Sequence, residues 1–322
     1  MKKILTVLFM LCILASSVVF AGGAQEPAVW LTDLDQATLA AEESGKDLLV
    51  FFSGLGWDGY SEKFISEILS QEKFLKEVGK NYVPVQIDLI LDEESLTEEE
   101  IAVNQNNYML AYSMGISSVP TLLATSSDAI PYGIITYGPD SSDLSGILAE
   151  FKEVNATRAK IASLKKKLEK SSGVSKAQVI DELYNSVPTE FSYQFYDLIT
   201  EFPSLDPENK TGKLGQYKLL LAYDESLAIF NESGDIEAAI KVFIDLAESG
   251  LLNSEEYQTA YYNVAYLESY GGQILTENTI SYLQKAYDAA PESEIADSIL
   301  ATIESIQAMN SESTTETTGE SY

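Results

Sequence analysis

Residues 47–63 read DLLVFFSGLGWDGYSEK, and this stretch decides the fold of the first half of the chain. The unbroken apolar run at 48–52 is typical of a strand that is buried on both faces of a sheet. Gly54 and Gly56 indicate a loop after the strand, and the apolar spacing over 60–69 predicts a helix after the loop. A buried strand that leads through a short loop into a helix is typical of α/β folds.

The elements on either side of this stretch follow the same pattern. We predict helices over 33–44, over 101–114 and from about residue 141, and strands over 82–87, 121–124 and 132–137. Helices therefore alternate with strands until two strands follow one another near the end of the segment. This order predicts that residues 28–153 form an α/β domain.

Two short motifs in this segment resemble those of a known family. The stretch at 57–63 is similar to the active-site loop of bacterial thioredoxin-like proteins, where Trp-Cys-x-x-Cys is followed by a lysine. Three residues fit that loop, namely Trp57, Gly59 and Lys63. The family's Val-Pro-Thr turn before its third strand is matched by Val119, Pro120 and Thr121. The resemblance implies a thioredoxin-like fold in which the peptide bond before this proline is cis and the turn faces the loop.

The loop departs from the family at both thiol positions. Asp58 and Ser61 occupy them, with Gly59 and Tyr60 between. Disulfide exchange needs a thiolate nucleophile and a second thiol that resolves the mixed disulfide, so the residues predict the fold without its redox chemistry. We interpret Asp58 as the N-cap of the following helix, and a catalytic aspartate is the alternative. Pro120 either borders a groove for an extended peptide or is a turn inherited with the fold.

The start of the chain has the pattern of a secretory signal peptide. Two lysines precede an apolar run at 4–14, and small residues precede a cleavage site after Ala21. An uncleaved anchor is one alternative, and lipidation at Cys12 is another, although Leu11 stands where a small residue is needed. We therefore expect residues 1–21 to be removed, the mature chain to be periplasmic or secreted, and no stable membrane span to remain.

Composition excludes most catalytic chemistry. The 322 residues contain no histidine and one cysteine, Cys12, which would leave with the signal peptide. Thiol chemistry, histidine-based acid–base catalysis and metal or haem ligation by cysteine or histidine are thereby excluded from the mature chain. We expect no cofactor, no metal and no enzymatic activity. A hydrolase that uses Asp58 and Asp88 with Ser53, Tyr60 or Ser61 remains the alternative.

The charge balance is strongly acidic. Fifty acidic residues face 20 basic ones, which gives a formal net charge of −30 and disfavours nucleic acid as a partner. The acidic residues at 92–94 and 98–100 are a conceivable calcium site. Thr97 and Glu100, however, form a capping box before the helix, and we favour a solvated insertion.

From residue 155 the pattern changes to helical periodicity. Residues 234–246 and 260–291 resemble tetratricopeptide repeats, so 155–310 are predicted to be an all-α tetratricopeptide-like domain with a longer hairpin loop at 271–272. Capping boxes are predicted at Ser175 with Gln178 and at Asn253 with Glu256. The lysines at 165–167 either clamp an anionic partner or form the solvated face of a helix whose apolar side is Ile161, Leu164 and Leu168. Residues 311–322 are rich in Ser, Thr and Glu, and we predict that they are disordered.

One helix of this domain carries four closely spaced tyrosines, and the candidate binding surface consists of Tyr261, Tyr262, Tyr266 and Tyr270. They do not all point to one side of a helix, so some are predicted to line a concave surface, although core packing is the default for each one alone. The sequence thus predicts an exported protein that binds a protein or peptide. Retention of the clients of a redox ancestor without electron transfer is a related alternative.

Overall fold

The computed structural model describes residues 27–127, 130–270 and 277–316, with side chains described up to residue 310 except that of Tyr270. The predicted signal peptide and its cleavage site lie outside the described residues, as do the hairpin loop at 271–272 and the end of the tail. The chain divides into two compact units. The first comprises Met1–Ala129 and Ile134–Glu150, and the second comprises Ile130–Gly133 and Phe151–Tyr322.

The first unit is built on a four-stranded sheet with the strand order β2-β1-β3-β4. Its strands are β1 (Asp47–Ser53), β2 (Tyr82–Asp88), β3 (Thr121–Thr125) and β4 (Pro131–Thr136). Strand β1 runs parallel to β2 and antiparallel to β3, with Phe52 opposite Thr121. Residues 48–52 are buried on both faces, which confirms the interpretation of the apolar run.

The helices of this unit are α1 (Leu34–Ser44), α2 (Gly59–Phe64), α3 (Glu72–Asn81) and α4 (Glu98–Ser113). The helix predicted over 60–69 is divided, because α2 passes into a π-helical turn at Ile65–Leu69. Helix α3 was not predicted from the sequence. It buries Phe74 and Val78 one turn apart, while Gly79 lowers the helix propensity of the same stretch.

Helix α4 begins three residues before its predicted start because its capping box determines the first turn. The hydroxyl of Thr97 accepts a hydrogen bond from the backbone N–H of Glu100, and the Glu100 carboxylate accepts one from the backbone N–H of Thr97. The predicted box is therefore confirmed. The hydrogen bonds that the backbone N–H and the hydroxyl of Thr97 donate to the Glu100 carboxylate hold the pKa of Glu100 below its usual range.

Successive contacts between aromatic rings hold α2 on the sheet. The ring of Phe64 contacts Phe51 of β1 edge-on at 5.8 Å and stacks on Tyr137 at 4.5 Å. Phe51 in turn contacts Trp30 at 5.9 Å. Edge-on and offset contacts of this kind add stability beyond the burial of the rings. The start of α2, where the loop residues lie, is thus held on a rigid support.

A single helix, α5 (Leu144–Leu168), contains both the last helix predicted for the first segment and the basic stretch. Ile161 and Leu164 are buried, as predicted for its apolar side. Lys165 and Lys166 are exposed, and Lys167 lies 3.2 Å from Glu182. This arrangement favours the solvated-face interpretation of the basic stretch.

The second unit is helical throughout its described length apart from β4 residues and connections. Its helices are α6 (Gly173–Tyr184), α7 (Tyr196–Leu205), α8 (Leu214–Ser233), α9 (Ile236–Glu248), α10 (Ser254–Tyr270), α11 (Glu277–Ala289) and α12 (Ala296–Glu316). A short 3₁₀ helix at Thr189–Phe195 precedes α7, and consecutive helices pack as neighbours from α8 to α12. The predicted all-α character is confirmed, whereas a regular tetratricopeptide repeat stays a prediction.

Two helix starts in this unit test the predicted capping boxes. Asn253 and Glu256 exchange hydrogen bonds between side chain and backbone, so this box is confirmed. The box at Ser175 is wrong, because α6 begins earlier, at Gly173, and Ser175 lies inside the first turn. At the other end of the unit, α12 continues to Glu316, beyond residue 310, where we predicted the helical domain to end.

No helix in the described ranges combines the length and the apolarity needed to cross a bilayer.

Candidate functional site

The loop between β1 and α2 holds Trp57 at its outer edge. The indole N–H of Trp57 donates a hydrogen bond to the carbonyl oxygen of Leu89 at 2.6 Å, while 45% of the side chain remains exposed. A Cβ atom on Gly54 would lie 2.5 Å from the indole ring, so the ring packs directly on the glycine backbone. The indole of Trp57 is therefore partly exposed to solvent and at the same time held in one orientation.

Asp58 caps the N-terminus of α2, as predicted. Its carboxylate accepts hydrogen bonds from the backbone N–H of Ser61 at 2.8 Å and from that of Tyr60 at 3.4 Å. The hydroxyl of Ser61 donates a third hydrogen bond to the same carboxylate at 2.7 Å. An aspartate that serves three donors at a helix start has a structural role, which favours the cap over a catalytic aspartate.

Ser61 connects the helix back to the loop. It is fully buried, and its hydroxyl oxygen accepts a hydrogen bond from the backbone N–H of Gly54 at 2.9 Å. The two side chains at the family's thiol positions therefore bind one another and, through Gly54, close the loop. Neither the carboxylate of Asp58 nor the hydroxyl of Ser61 can attack a disulfide.

The second carboxylate of the hydrolase alternative belongs to a different network. The carboxylate of Asp88 accepts hydrogen bonds from the Ser53 hydroxyl at 2.7 Å and from the backbone N–H of Leu55 at 2.9 Å. Gln86 also donates to Ser53, at 3.0 Å. Within the described hydrogen bonds, this network shares no residue with that of Asp58. Both carboxylates hold backbone in place.

The turn at 119–121 lies beside the end of β1. The peptide bond between Val119 and Pro120 is cis, as the resemblance implies. The Thr121 hydroxyl donates a hydrogen bond to the Ser118 carbonyl at 2.7 Å, and Thr121 pairs with Phe52, the last residue but one of β1. Pro120 is buried and Val119 is half-buried. The sheet register thus places this turn next to the strand from which the loop leaves.

Lys63 lies one turn into α2 and pairs with Glu67 at 4.0 Å, where both side chains are about half exposed. Such a surface pair contributes little stability. Glu67 also accepts a hydrogen bond from the Tyr137 hydroxyl at 2.9 Å. Burial, together with this carboxylate, raises the pKa of Tyr137, so the phenol stays protonated.

Tyr60, a predicted residue of the loop, is more than a third exposed. Other exposed apolar side chains of the first unit were not predicted as site residues, among them Leu55 near Trp57. On α4, Met109 and Tyr112 are also strongly exposed. The available signal was that apolar residues are distributed around the whole circumference of α4 instead of along one stripe.

The four tyrosines of the predicted surface separate into different environments. Tyr261 is buried and packs against Tyr257 and Tyr282, with the Lys285 ammonium 4.8 Å from its ring centre. It belongs to the core, and its assignment to the surface is corrected. Tyr262 and Tyr266 are exposed, whereas the side chain of Tyr270 lies outside the described residues.

Among the described residues, no three acidic or cysteine side chains are grouped as a metal ion would require. In the acidic segment, Asn104 donates hydrogen bonds to the Glu93 carboxylate at 2.7 Å and to the Ile90 carbonyl at 2.9 Å. Its amide oxygen accepts from the backbone N–H of Ile90. One asparagine thus fastens this insertion to α4.

Most of the first unit matches a family model. Residues 34–150 match the model described as "Thioredoxin-like domain". Residues 34–150 form a thioredoxin-like domain. The loop at 57–63 and the turn at 119–121 both lie inside it. Residues 214–312 match a second model, described as "Uncharacterised protein C-terminal domain", which covers α8 to the greater part of α12.

Two curated proteins are similar to this chain. An "Uncharacterized protein" of Treponema pallidum (strain Nichols) is 23% identical over 264 residues, which cover 82% of this chain and 84% of that protein. The "Thioredoxin-related protein DsbJ" of Chlamydia pneumoniae is 27% identical over 100 residues, which cover 31% of this chain and 28% of that protein.

Among solved structures, the chain is similar to "DsbH Oxidoreductase" with 17% identity and a TM-score of 0.35, over 43% of this chain and 91% of that one. It is also similar to a thioredoxin from Thermus thermophilus with 17% identity and a TM-score of 0.30, over 40% and 87% of the two chains.

Proposed function

We propose that this chain is an exported, redox-inactive member of the thioredoxin-like proteins that binds protein or peptide partners in the cell envelope. One observation carries the proposal. The two positions that hold thiols in the family's active-site loop are occupied by Asp58 and Ser61, which hydrogen-bond to each other. The fold therefore keeps its loop and loses its nucleophile.

The chemistry of exchange supports the first half of the proposal. Attack on a disulfide requires a thiolate, and release of the client requires a second thiol. The only cysteine of the 322 residues is Cys12, inside the predicted signal peptide. A carboxylate and a buried hydroxyl occupy the two positions instead. Without thiols, this loop can still bind a client but cannot exchange disulfides with it.

The surface of the loop supports the second half. Trp57 is held by Leu89 and Gly54 but remains exposed, and Tyr60 is exposed beside it in the sequence. A rigid, partly exposed aromatic side chain loses little conformational entropy when a partner covers it, and such residues dominate binding energies. The turn at 119–121 adds backbone beside the end of β1.

The compartment and the second domain are part of the same proposal. The signal peptide pattern at 1–21 supports export, and the similarity to the "Thioredoxin-related protein DsbJ" supports an origin among thioredoxin-related proteins. The consecutive helix packing from α8 to α12 supports tetratricopeptide-like hairpins that serve as a scaffold for interactions.

Two measurements on the mature chain, without residues 1–21, test the proposal. In an insulin-reduction assay with dithiothreitol, we expect no rate above the uncatalysed background. In fluorescence anisotropy, we expect the insulin B chain with blocked cysteines and a fluorescein label to bind. Trp57→Ser and Tyr60→Ser should each weaken this binding several-fold, because each removes an exposed aromatic contact of the loop.

Tyr112→Ser is the matched control, because it removes an exposed tyrosine from α4 of the same domain. Turnover of insulin would contradict redox inactivity. Absence of B-chain binding, or equal losses in Tyr112→Ser and in the loop variants, would contradict client binding at the loop.

A further inference from the structure

A groove follows α8 on the surface of the helical unit. Its larger part is a cavity of about 270 Å³ lined among others by Tyr184 of α6, Leu220 and Tyr223 of α8, and Asn263 of α10. A smaller cavity shares Tyr223 and Asn263 with it and adds Tyr266. The two cavities are therefore neighbours along α8, and we call them together the α8–α10 groove.

The dimensions of this groove suit an extended segment of polypeptide. Along α8 it reaches from Gln216 to Leu227, which corresponds to about 16 Å at the helical rise per residue. At about 3.3 Å per residue, this length accommodates roughly five residues of extended chain.

The lining is apolar, with tyrosines at the rim. Leu219 and Leu220 contribute to its surface, while Tyr223 and Tyr266 are each about half exposed. Exposed tyrosines offer an apolar ring for contact and a hydroxyl for water or a partner. The groove is therefore suited to a segment that carries a large apolar side chain.

Asn263 supplies a polar group at the middle of the groove. It lines both cavities and is half-buried, and within the described part of the chain its amide makes no hydrogen bond. An asparagine amide both donates and accepts, and each residue of an extended peptide offers one donor and one acceptor. Asn263 is placed to bind the main chain of a bound segment.

The negative charge around the groove favours a positively charged occupant. Residues 214–312 contain 17 acidic and three basic side chains. One of the three, Lys241, is paired with Asp245. Asp224 is exposed directly after Tyr223, and Glu255 is exposed one turn before Thr259 of the lining. A surface of this sign attracts cationic segments and repels acidic ones.

We propose that the α8–α10 groove binds an extended, basic segment of a partner protein through a bulky apolar side chain flanked by lysine or arginine. Tyr223 and Tyr266 contact the apolar side chain, Asn263 binds the main chain, and the acidic surroundings bind the cationic side chains. The inference extends the proposed binding function to a second site that contains no residue of the thioredoxin-like loop.

The test uses the full chain and three short fluorescein-labelled peptides. The first alternates lysine with leucine or phenylalanine, the second replaces each lysine by glutamate, and the third replaces each apolar residue by serine. We expect the first to bind, more weakly as salt increases, and the other two not to bind. Equal binding of the first two peptides would overturn the proposed charge selection.

Variants locate the binding. Tyr223→Ala and Tyr266→Ala should each weaken the lysine–leucine peptide about 10-fold, and Asn263→Ala several-fold, as expected for central contacts of a small interface. Tyr262→Ala is the matched control, because Tyr262 is exposed on the same helix but does not line the groove. Equal losses in Tyr262→Ala and Tyr266→Ala would overturn the assignment.

A second measurement does not depend on the folding of variants. A photoreactive benzoyl-phenylalanine in the lysine–leucine peptide should crosslink to α8 or α10 of the wild-type chain, and crosslinks elsewhere would overturn the proposal. Sedimentation that shows a dimer abolished by Tyr223→Ala would assign the groove to a second copy and would also overturn it. Trp57→Ser should leave this peptide's affinity unchanged, so failure at the groove is distinguishable from failure at the loop.

Discussion

The hydroxyl of Ser61 donates to the carboxylate of Asp58 at 2.7 Å, and the backbone N–H of Ser61 donates to the same carboxylate at 2.8 Å. These are the two positions at which an active thioredoxin-like loop holds its thiols. Here they form a helix cap, and the buried Ser61 hydroxyl also accepts from Gly54. The loop is thus closed by its own side chains, with a partly exposed tryptophan at its edge.

The first prediction concerns the cap itself. Asp58→Ala should reduce the free energy of unfolding by about 2 kcal/mol, because it removes the acceptor of two backbone donors and of a buried hydroxyl. Asp33→Ala removes the corresponding cap of α1, which is exposed and accepts one backbone hydrogen bond, and should cost about 1 kcal/mol. Urea unfolding followed by circular dichroism measures both, with exposed Glu62→Ala as the control. A loss for Asp58→Ala no larger than for Asp33→Ala would show that the Ser61 contact contributes nothing.

The second prediction restores the thiols. The double variant Asp58→Cys with Ser61→Cys should gain measurable insulin reductase activity, because it places two thiols at the start of α2, where the positive end of the helix favours a thiolate. It should also unfold at a lower temperature than the wild-type chain, since a thiol is a weak acceptor for the Gly54 N–H. Each single cysteine variant is the control and should remain inactive, because one thiol cannot complete the exchange. A folded but inert double variant would mean that the loop geometry differs from that of active members.

The third prediction concerns the contact between Gly54 and Trp57. Gly54→Ala should displace the indole ring and break its hydrogen bond to Leu89, since the new Cβ would lie 2.5 Å from ring atoms. In a Trp30→Phe background, acrylamide should quench the fluorescence of Trp57 more strongly in this variant. Gly59→Ala is the control, because a Cβ there meets no atom within 4 Å. Unchanged quenching in Gly54→Ala would contradict the packing of the ring on the glycine.

The fourth prediction concerns pH and the buried Asp206 of the helical unit. Its carboxylate accepts hydrogen bonds from the backbone N–H groups of Lys210 and Thr211, each at 2.8 Å, and from the Thr211 hydroxyl at 2.6 Å. Burial opposes ionisation, but these hydrogen bonds hold the pKa of Asp206 below its ordinary value of 3.8. A lowered pKa stabilises the fold at neutral pH, and this stability is lost as the pH falls below 3.8 toward the pKa of the folded state.

Asp206→Asn should therefore cost roughly 2 kcal/mol at neutral pH, because an amide nitrogen faces donors where the carboxylate accepted. The difference in unfolding free energy between wild type and variant should shrink as the pH falls below 3.8. The exposed Glu294→Gln serves as the control and should show little difference at any pH. A constant difference across the acid range would mean that the charge of Asp206 does not stabilise the fold.

The sequence predicted correctly those elements that depend on residues close to one another in the chain. The run at 48–52 could be assigned to a buried strand because every side chain in it is apolar. Asp58 and Thr97 could be assigned as caps, since an N-cap acts on backbone donors two or three residues away. The turn at Pro120 required the family resemblance, because the sequence alone does not determine the isomer of the preceding peptide bond.

The features that were missed depend on distant contacts. Helix α3 is short and contains Gly79, and the burial of Phe74 and Val78 against the rest of the unit compensates for its weak propensity. Tyr261 and Tyr262 are adjacent in the sequence, yet the first is buried and the second exposed. Spacing showed that the tyrosines diverge but not which face of α10 the neighbouring helices cover. Asn263 carried no signal, because its role follows from two cavities that only packing creates.

The hydrogen bond from Gly54 to the Ser61 hydroxyl has an evolutionary consequence. A single cysteine at this position would remove a good acceptor for the Gly54 N–H without supplying the pair of thiols that disulfide exchange needs. A route to a thiol pair through one substitution at a time therefore passes through a less stable intermediate.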